Sequence, residues 1–358
     1  PAGLVGPSEV SITLDGIDFS SQSGHFVYYK RIVVTGINPS VGSERGGTVV
    51  TVQGSSFLAS DALTCKFGES LTSKAEWLSS LAIRCTSPES APGNVVYLEV
   101  SNNGVDFSTN NVPFRFSETP RVNDISPAIG SVYGGSRVLI KSSNILMSDQ
   151  YFCKFSGIER SIEATFMNSS FLECIAPAQN TIGRSCVEIS NNNVDYSSDC
   201  VSFEYTSAPS VNGLNPKHGI TTGGTRVIVT GTNFRAGNMR CRFGGIDAIA
   251  ANILSNTTIE CVTPAVVQGW VHVEISNNNG VDFTQNGLQF LFVEPPQIHY
   301  VYPESGPEAG STLLMIGGSY LYSSTELACH FFDVASNSSV PVVSSNAIWV
   351  SSSAITCT

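Results

Sequence analysis

The chain repeats itself with a period of about 88 residues, and each copy of so long a repeat must bury a core of its own. Gly46-Gly47-Thr48, Gly134-Gly135-Ser136 and Gly223-Gly224-Thr225 each open a copy with a turn, and Gly310-Ser311-Thr312 opens a fourth in altered form. Two and four positions after the Thr or Ser, every copy is aliphatic: Val50 and Val52, Val138 and Ile140, Val227 and Val229, Leu314 and Ile316. Alternation at period two is the pattern of a strand with one buried face. Later in each copy a cluster such as Ser101-Asn102-Asn103-Gly104-Val105-Asp106 tolerates positive φ and predicts a hairpin turn. Closing strands follow at Phe114-Arg115-Phe116, Phe203-Glu204-Tyr205 and Phe290-Leu291-Phe292.

The ten cysteines keep step with the repeat. Cys65 and Cys85, Cys153 and Cys174, Cys241 and Cys261, and Cys329 and Cys357 supply one pair per copy, and Cys186 and Cys200 add a fifth. Pairs that recur in register predict structural disulfides, each stabilising its copy by about 3 kcal/mol and together implying an extracellular compartment. Zinc would want C-x-x-C spacing, which does not occur.

The order of motifs in the third copy resembles the IPT/TIG domain, an immunoglobulin-like sandwich. Asn215-Pro216, Gly223-Gly224-Thr225, Gly231-Thr232-Asn233-Phe234, Cys241-Arg242-Phe243-Gly244 and Ile259-Glu260-Cys261-Val262-Thr263-Pro264 carry the resemblance, and the second copy departs with Ser142-Ser143-Asn144-Ile145. The resemblance implies an all-β fold of tandem immunoglobulin-like β-sandwiches in a linear array. It says little about function, since the family occurs in receptor stalks of the plexin type, in accessory modules of surface enzymes and in transcription factors.

The expected division is residues 1–30, the closing half of a split domain; repeats at 31–118, 119–206 and 207–296; and residues 297–358, the opening half of a split domain. Asp18, Asp106, Asp195 and Asp282 fall 88, 89 and 87 positions apart, so the first thirty residues align with the end of a repeat. A sandwich without its last strands leaves an open core and an unpaired edge. The expectation is therefore a filament or pilus-like fibre whose partners are copies of the chain itself, joined head-to-tail by donor-strand complementation. Val10, Ile12, Leu14, Phe19, Phe26 and Tyr28 would form the donated face, and Leu314 and Ile316 the accepting core. The alternatives are a window of a longer tandem array serving as spacer or stalk of a surface receptor or adhesin, and an accessory module of a secreted carbohydrate-active enzyme.

A net charge of −11 disfavours nucleic acid, and no apolar run is long enough for a membrane span. No catalytic motif, cofactor loop or metal-ligand spacing occurs, so no enzyme activity and no cofactor is expected. The recurring Asp residues are expected to cap turns; one per turn is too few for calcium. Sequons at Asn168, Asn256 and Asn337 make N-linked glycans expected partners. Trp77, Trp270 and Trp349 are read as packing residues at unlike repeat positions.

Overall fold

The computed structural model describes residues 4–146, 150–246, 249–285, 288–324, 327–332 and 343–358. Every regular element among them is a strand. The chain divides into two units, residues 1–206 and 207–358.

The first unit begins with a two-stranded antiparallel sheet, β1 (Gly6–Val10) and β2 (Gly24–Tyr28). The first repeat follows as β3 (Val33–Asn38), β4 (Val41–Ser43), β5 (Val49–Ser55), β6 (Thr64–Phe67), β7 (Leu71–Ser79), β8 (Ala82–Thr86), β9 (Val95–Ser101) and β10 (Val112–Ser117). Its strand order is β3-β5-β8-β7-β6-β9-β10-β4. One strand links the two layers of the sandwich: β7 pairs with β6 through Leu71 to Lys74 and with β8 from Ala75 onward.

The alternation read from the sequence is borne by β5, where Val50 and Val52 are fully buried. Across the core, the Phe67 ring meets Phe114 edge-on at 5.2 Å, and Phe114 meets Phe116 at 5.1 Å. Phe155, Phe203 and Tyr205 repeat the triad in the second repeat, and Phe243, Phe290 and Phe292 in the third. Such pairs contribute roughly 0.5–1.5 kcal/mol beyond the area they bury.

Disulfides join Cys65 to Cys85, Cys153 to Cys174, Cys241 to Cys261 and Cys329 to Cys357. The first of these links β6 to β8, so it ties one layer to the other through the core. Cys186–Cys200 lies outside the core of the second repeat.

Two motifs from opposite ends of a repeat are one contact. Gly46 and Gly47 have φ of +72° and +82°, and a Cβ on Gly46 would come within 2.7 Å of the backbone of Pro88 and Glu89. The Gly-Gly turn thus lies flat on the proline that follows the second cysteine. Gly134 meets Pro177 and Ala178 in the same way, and Gly223 meets Pro264 and Ala265.

The second repeat has the same strand order as the first. In the third, the linking strand is interrupted into Ile249–Ala250 and Asn252–Ser255, which leaves separate sheets of four and five strands. The last five strands pair in the order Gln297–Tyr302, Leu314–Ser319, Ala354–Cys357, Val343–Ser351, Ala328–Phe331. That order matches β3-β5-β8-β7-β6.

Candidate functional site

The first three repeats carry a similar hydrogen-bonded turn before their closing strand. In the first, Asn103 Oδ1 accepts from the amides of Val105 and Asp106, and Asn103 Nδ2 donates to Asp106 Oδ2 at 2.8 Å. Ser108 closes the turn, its amide donating to the Val100 carbonyl and its Oγ accepting from the Val100 amide. Asn192, Asp195, Ser197 and Ile189 reproduce this in the second repeat. The segment between β1 and β2 does so too, with Asp15 in the place of Asn103. Asp15 Oδ1 accepts from the amides of Ile17 and Asp18, and Ser20 pairs with Ile12 as Ser108 pairs with Val100. The Ile17 amide, then the Asp18 amide, holds the Asp15 carboxyl below its ordinary value. The turn amides are thus capped by Asn103, Asn192 and Asp15 rather than by the recurring Asp residues named from the sequence: Asp106 and Asp195 accept from the Asn side chain, and Asp18 donates its amide to Asp15.

The residues expected to be donated sit in or next to β1 and β2. Val10, Ile12, Leu14, Phe19 and Phe26 are exposed and Tyr28 is half-buried; Ile12 is 69% exposed where its counterpart Val100 is 0%. Leu314 is half-buried and Ile316 buried in the second unit. Leu314 lines an open groove of about 560 Å³ with Val301, Pro303, Phe331 and Val343.

Two of the three sequons lie on hairpin tips. Asn168 is exposed at the end of Ile162–Asn168, its Oδ1 accepting from the Ser170 amide at 2.9 Å. Asn256 is exposed between Asn252–Ser255 and Thr258–Val262, with its backbone carbonyl held by the buried Phe234 amide at 3.0 Å. Asn337 lies outside the described residues.

The tryptophans require a correction. Trp77 and Trp349 occupy the same place in their repeats, each eight residues before the second cysteine. Trp77 Nε1 donates to the Phe57 carbonyl at 3.2 Å, and Trp349 Nε1 to the Leu321 carbonyl at 3.0 Å. Unequal spacing between the cysteines, 20 against 28 positions, hides this when residues are counted from the first cysteine. Counting back from the second one reveals it. Trp270 is on a different strand and 61% exposed.

No group of His, Cys, Asp or Glu suited to a metal ion occurs among the described residues, and no helix is long and apolar enough to cross a membrane.

A family model described as the IPT/TIG domain matches residues 33–116, 120–205, 209–292 and 296–358. Human Plexin-A3 is 28% identical over 264 residues, spanning 70% of this chain and 14% of that protein. Mouse Fibrocystin-L is 25% identical over 274 residues, spanning 75% of this chain and 6% of that protein. Among solved structures, the full extracellular region of Plexin A4 aligns with a TM-score of 0.42 at 17% identity, covering 91% of this chain and 28% of the other.

Proposed function

The chain belongs to the IPT/TIG domain family, and on that premise we propose that it is a spacer in the stalk of a cell-surface receptor, setting distance and doing no chemistry of its own. The segment is extracellular. The observation that carries the reading is the length of the likeness to plexin: 264 aligned residues are far more than one domain, so it is the tandem array that is shared. Filament assembly, the reading the sequence first suggests, draws no support from these relatives. Removing residues 119–296 from the parent protein is expected to shorten its reach while leaving surface delivery and ligand affinity intact. Loss of ligand affinity would place binding in these repeats and overturn the spacer reading.

Self-association is a second reading, favoured by one observation. Val10, Ile12 and Phe26 are exposed where their counterparts Leu98, Val100 and Phe114 are fully buried; in the second unit the strand matching β6 ends its sheet where β9 follows in the first repeat, and its Phe331 lines the groove with Leu314. Sedimentation of the chain across a wide concentration range tests it. Association that Ile12→Asp abolishes supports the reading, and a monomer throughout ends it.

The exposed hairpin tips make Asn168 and Asn256 suited to N-linked glycans. Material from eukaryotic cells is expected to lose mass on peptide-N-glycosidase treatment, with one step of that loss removed by each of Asn168→Gln and Asn256→Gln. An unchanged mass after enzyme treatment would reject the assignment.

A further inference from the structure

We propose that Asp195 is a latch that fastens the second repeat onto the first, making the pair one rigid body. A covalent linker, Glu118-Thr119-Pro120, already joins the two repeats and by itself would let them swing. The turn of the second repeat instead reaches back across the junction. Asp195 Oδ2 accepts from Thr48 Oγ1 at 2.7 Å and from the Ser43 amide at 3.2 Å. Asn192 Nδ2, while holding Asp195, also donates to the Val41 carbonyl at 2.9 Å. Val41 and Ser43 belong to β4, and Thr48 ends the turn that leads from it into β5.

The receiving site is built. Thr48 is fully buried and its hydroxyl has a fixed role on each side, accepting from the Ser43 amide at 3.0 Å and donating to the carboxylate. Gly42 leaves room for it, since a Cβ there would lie 2.5 Å from Thr48 Oγ1 and 2.6 Å from the Phe114 ring. From the linker side, the Thr119 amide donates to Glu44 Oε2 at 2.9 Å, and the Thr119 and Ser43 hydroxyls lie 3.0 Å apart. Val41 to Thr48 is thus gripped from two directions. Hydrogen bonds to a carboxylate are shorter and about twice as strong as neutral ones, and these are partly shielded from water.

Turn capping alone does not account for the arrangement. The first repeat forms the same turn with Asn103 and Asp106, so a capped turn has a reference within the chain itself.

Hydrogen exchange on the full chain, read at the Ser43 and Thr119 amides, tests the latch with Asp195→Ala and with Asp106→Ala as the turn control. Asp195→Ala is expected to speed exchange at both amides by about tenfold or more and to open the linker to proteolysis, while Asp106→Ala leaves them unchanged. Unchanged exchange at Ser43 and Thr119 in Asp195→Ala, or loosening confined to Val194 and Asp195, would overturn the proposal and leave only a capped turn. Should Asp195→Ala unfold the second repeat, Thr48→Val removes the donor from the other side of the junction. Faster exchange at Thr119 in that variant sustains the latch, and no change there rejects it.

Discussion

Tyr205 breaks the pattern of its position. The equivalent residues Phe116 and Phe292 are purely apolar, whereas Tyr205 buries a hydroxyl that has no hydrogen-bond partner among the described residues. Burial pushes its pKa up, so the neutral phenol is the form the fold tolerates. Tyr205→Phe is expected to stabilise the second repeat by about 1 kcal/mol, measured by thermal unfolding at neutral pH. Because the folded value lies above the unfolded one, the wild type loses stability as pH climbs past the ordinary phenol value of 10.0, and the variant escapes that loss. Asp15 has the opposite sign. Its carboxyl is depressed by the Ile17 and Asp18 amides, so amide protection there is present above the ordinary value of 3.8 and is lost as pH falls below it. Exchange at Ile17 and Asp18, followed by NMR across an acid titration, checks this.

At the scale of elements, two glycines separate two kinds of constraint. A methyl at Gly42 would strike Thr48 and Phe114, whereas Gly47 has open space around it but a φ of +82°. Gly42→Ala is expected to cost about 2–3 kcal/mol through overpacking, and Gly47→Ala about 1 kcal/mol through backbone strain; denaturant melts rank them. Disulfides divide similarly. Replacing Cys153 and Cys174 together by Ala removes a link buried in the core, and is expected to cost more than replacing Cys186 and Cys200, although the closed loops are of similar length, 21 and 14 positions. Strands with one buried face, such as β5, were legible because their alternation is clean. The linking strand β7 was not: it changes partner midway, its inward residues Leu71, Ser73 and Ala75 are only half-buried and mostly small or polar, and the alternation is lost where Trp77 and Leu78 both face solvent. The contact of the Gly-Gly turn with Pro88 was visible only as two separate motifs, since nothing in spacing says that positions some forty residues apart touch.

At the scale of the whole molecule, the repeat made the fold class and the family plain from the residues alone, and the match at four places bears that out. Function was less legible. Tandem sandwiches with similar cores serve unrelated ends, and what distinguishes a spacer from a fibre lies in which surfaces meet, such as the Asp195 to Thr48 contact, which no period predicts. The staple between β6 and β8 would have a mechanical consequence for the proposed spacer under load. Pulling can unravel a repeat only outside the loop from Cys65 to Cys85, so the first repeat, 33–116, would lengthen to roughly 220 Å at about 3.5 Å per freed residue and then stop. Reducing that one bond releases about 70 Å more. The thiol–disulfide balance of the surroundings would therefore set how far the spacer yields before it snaps taut.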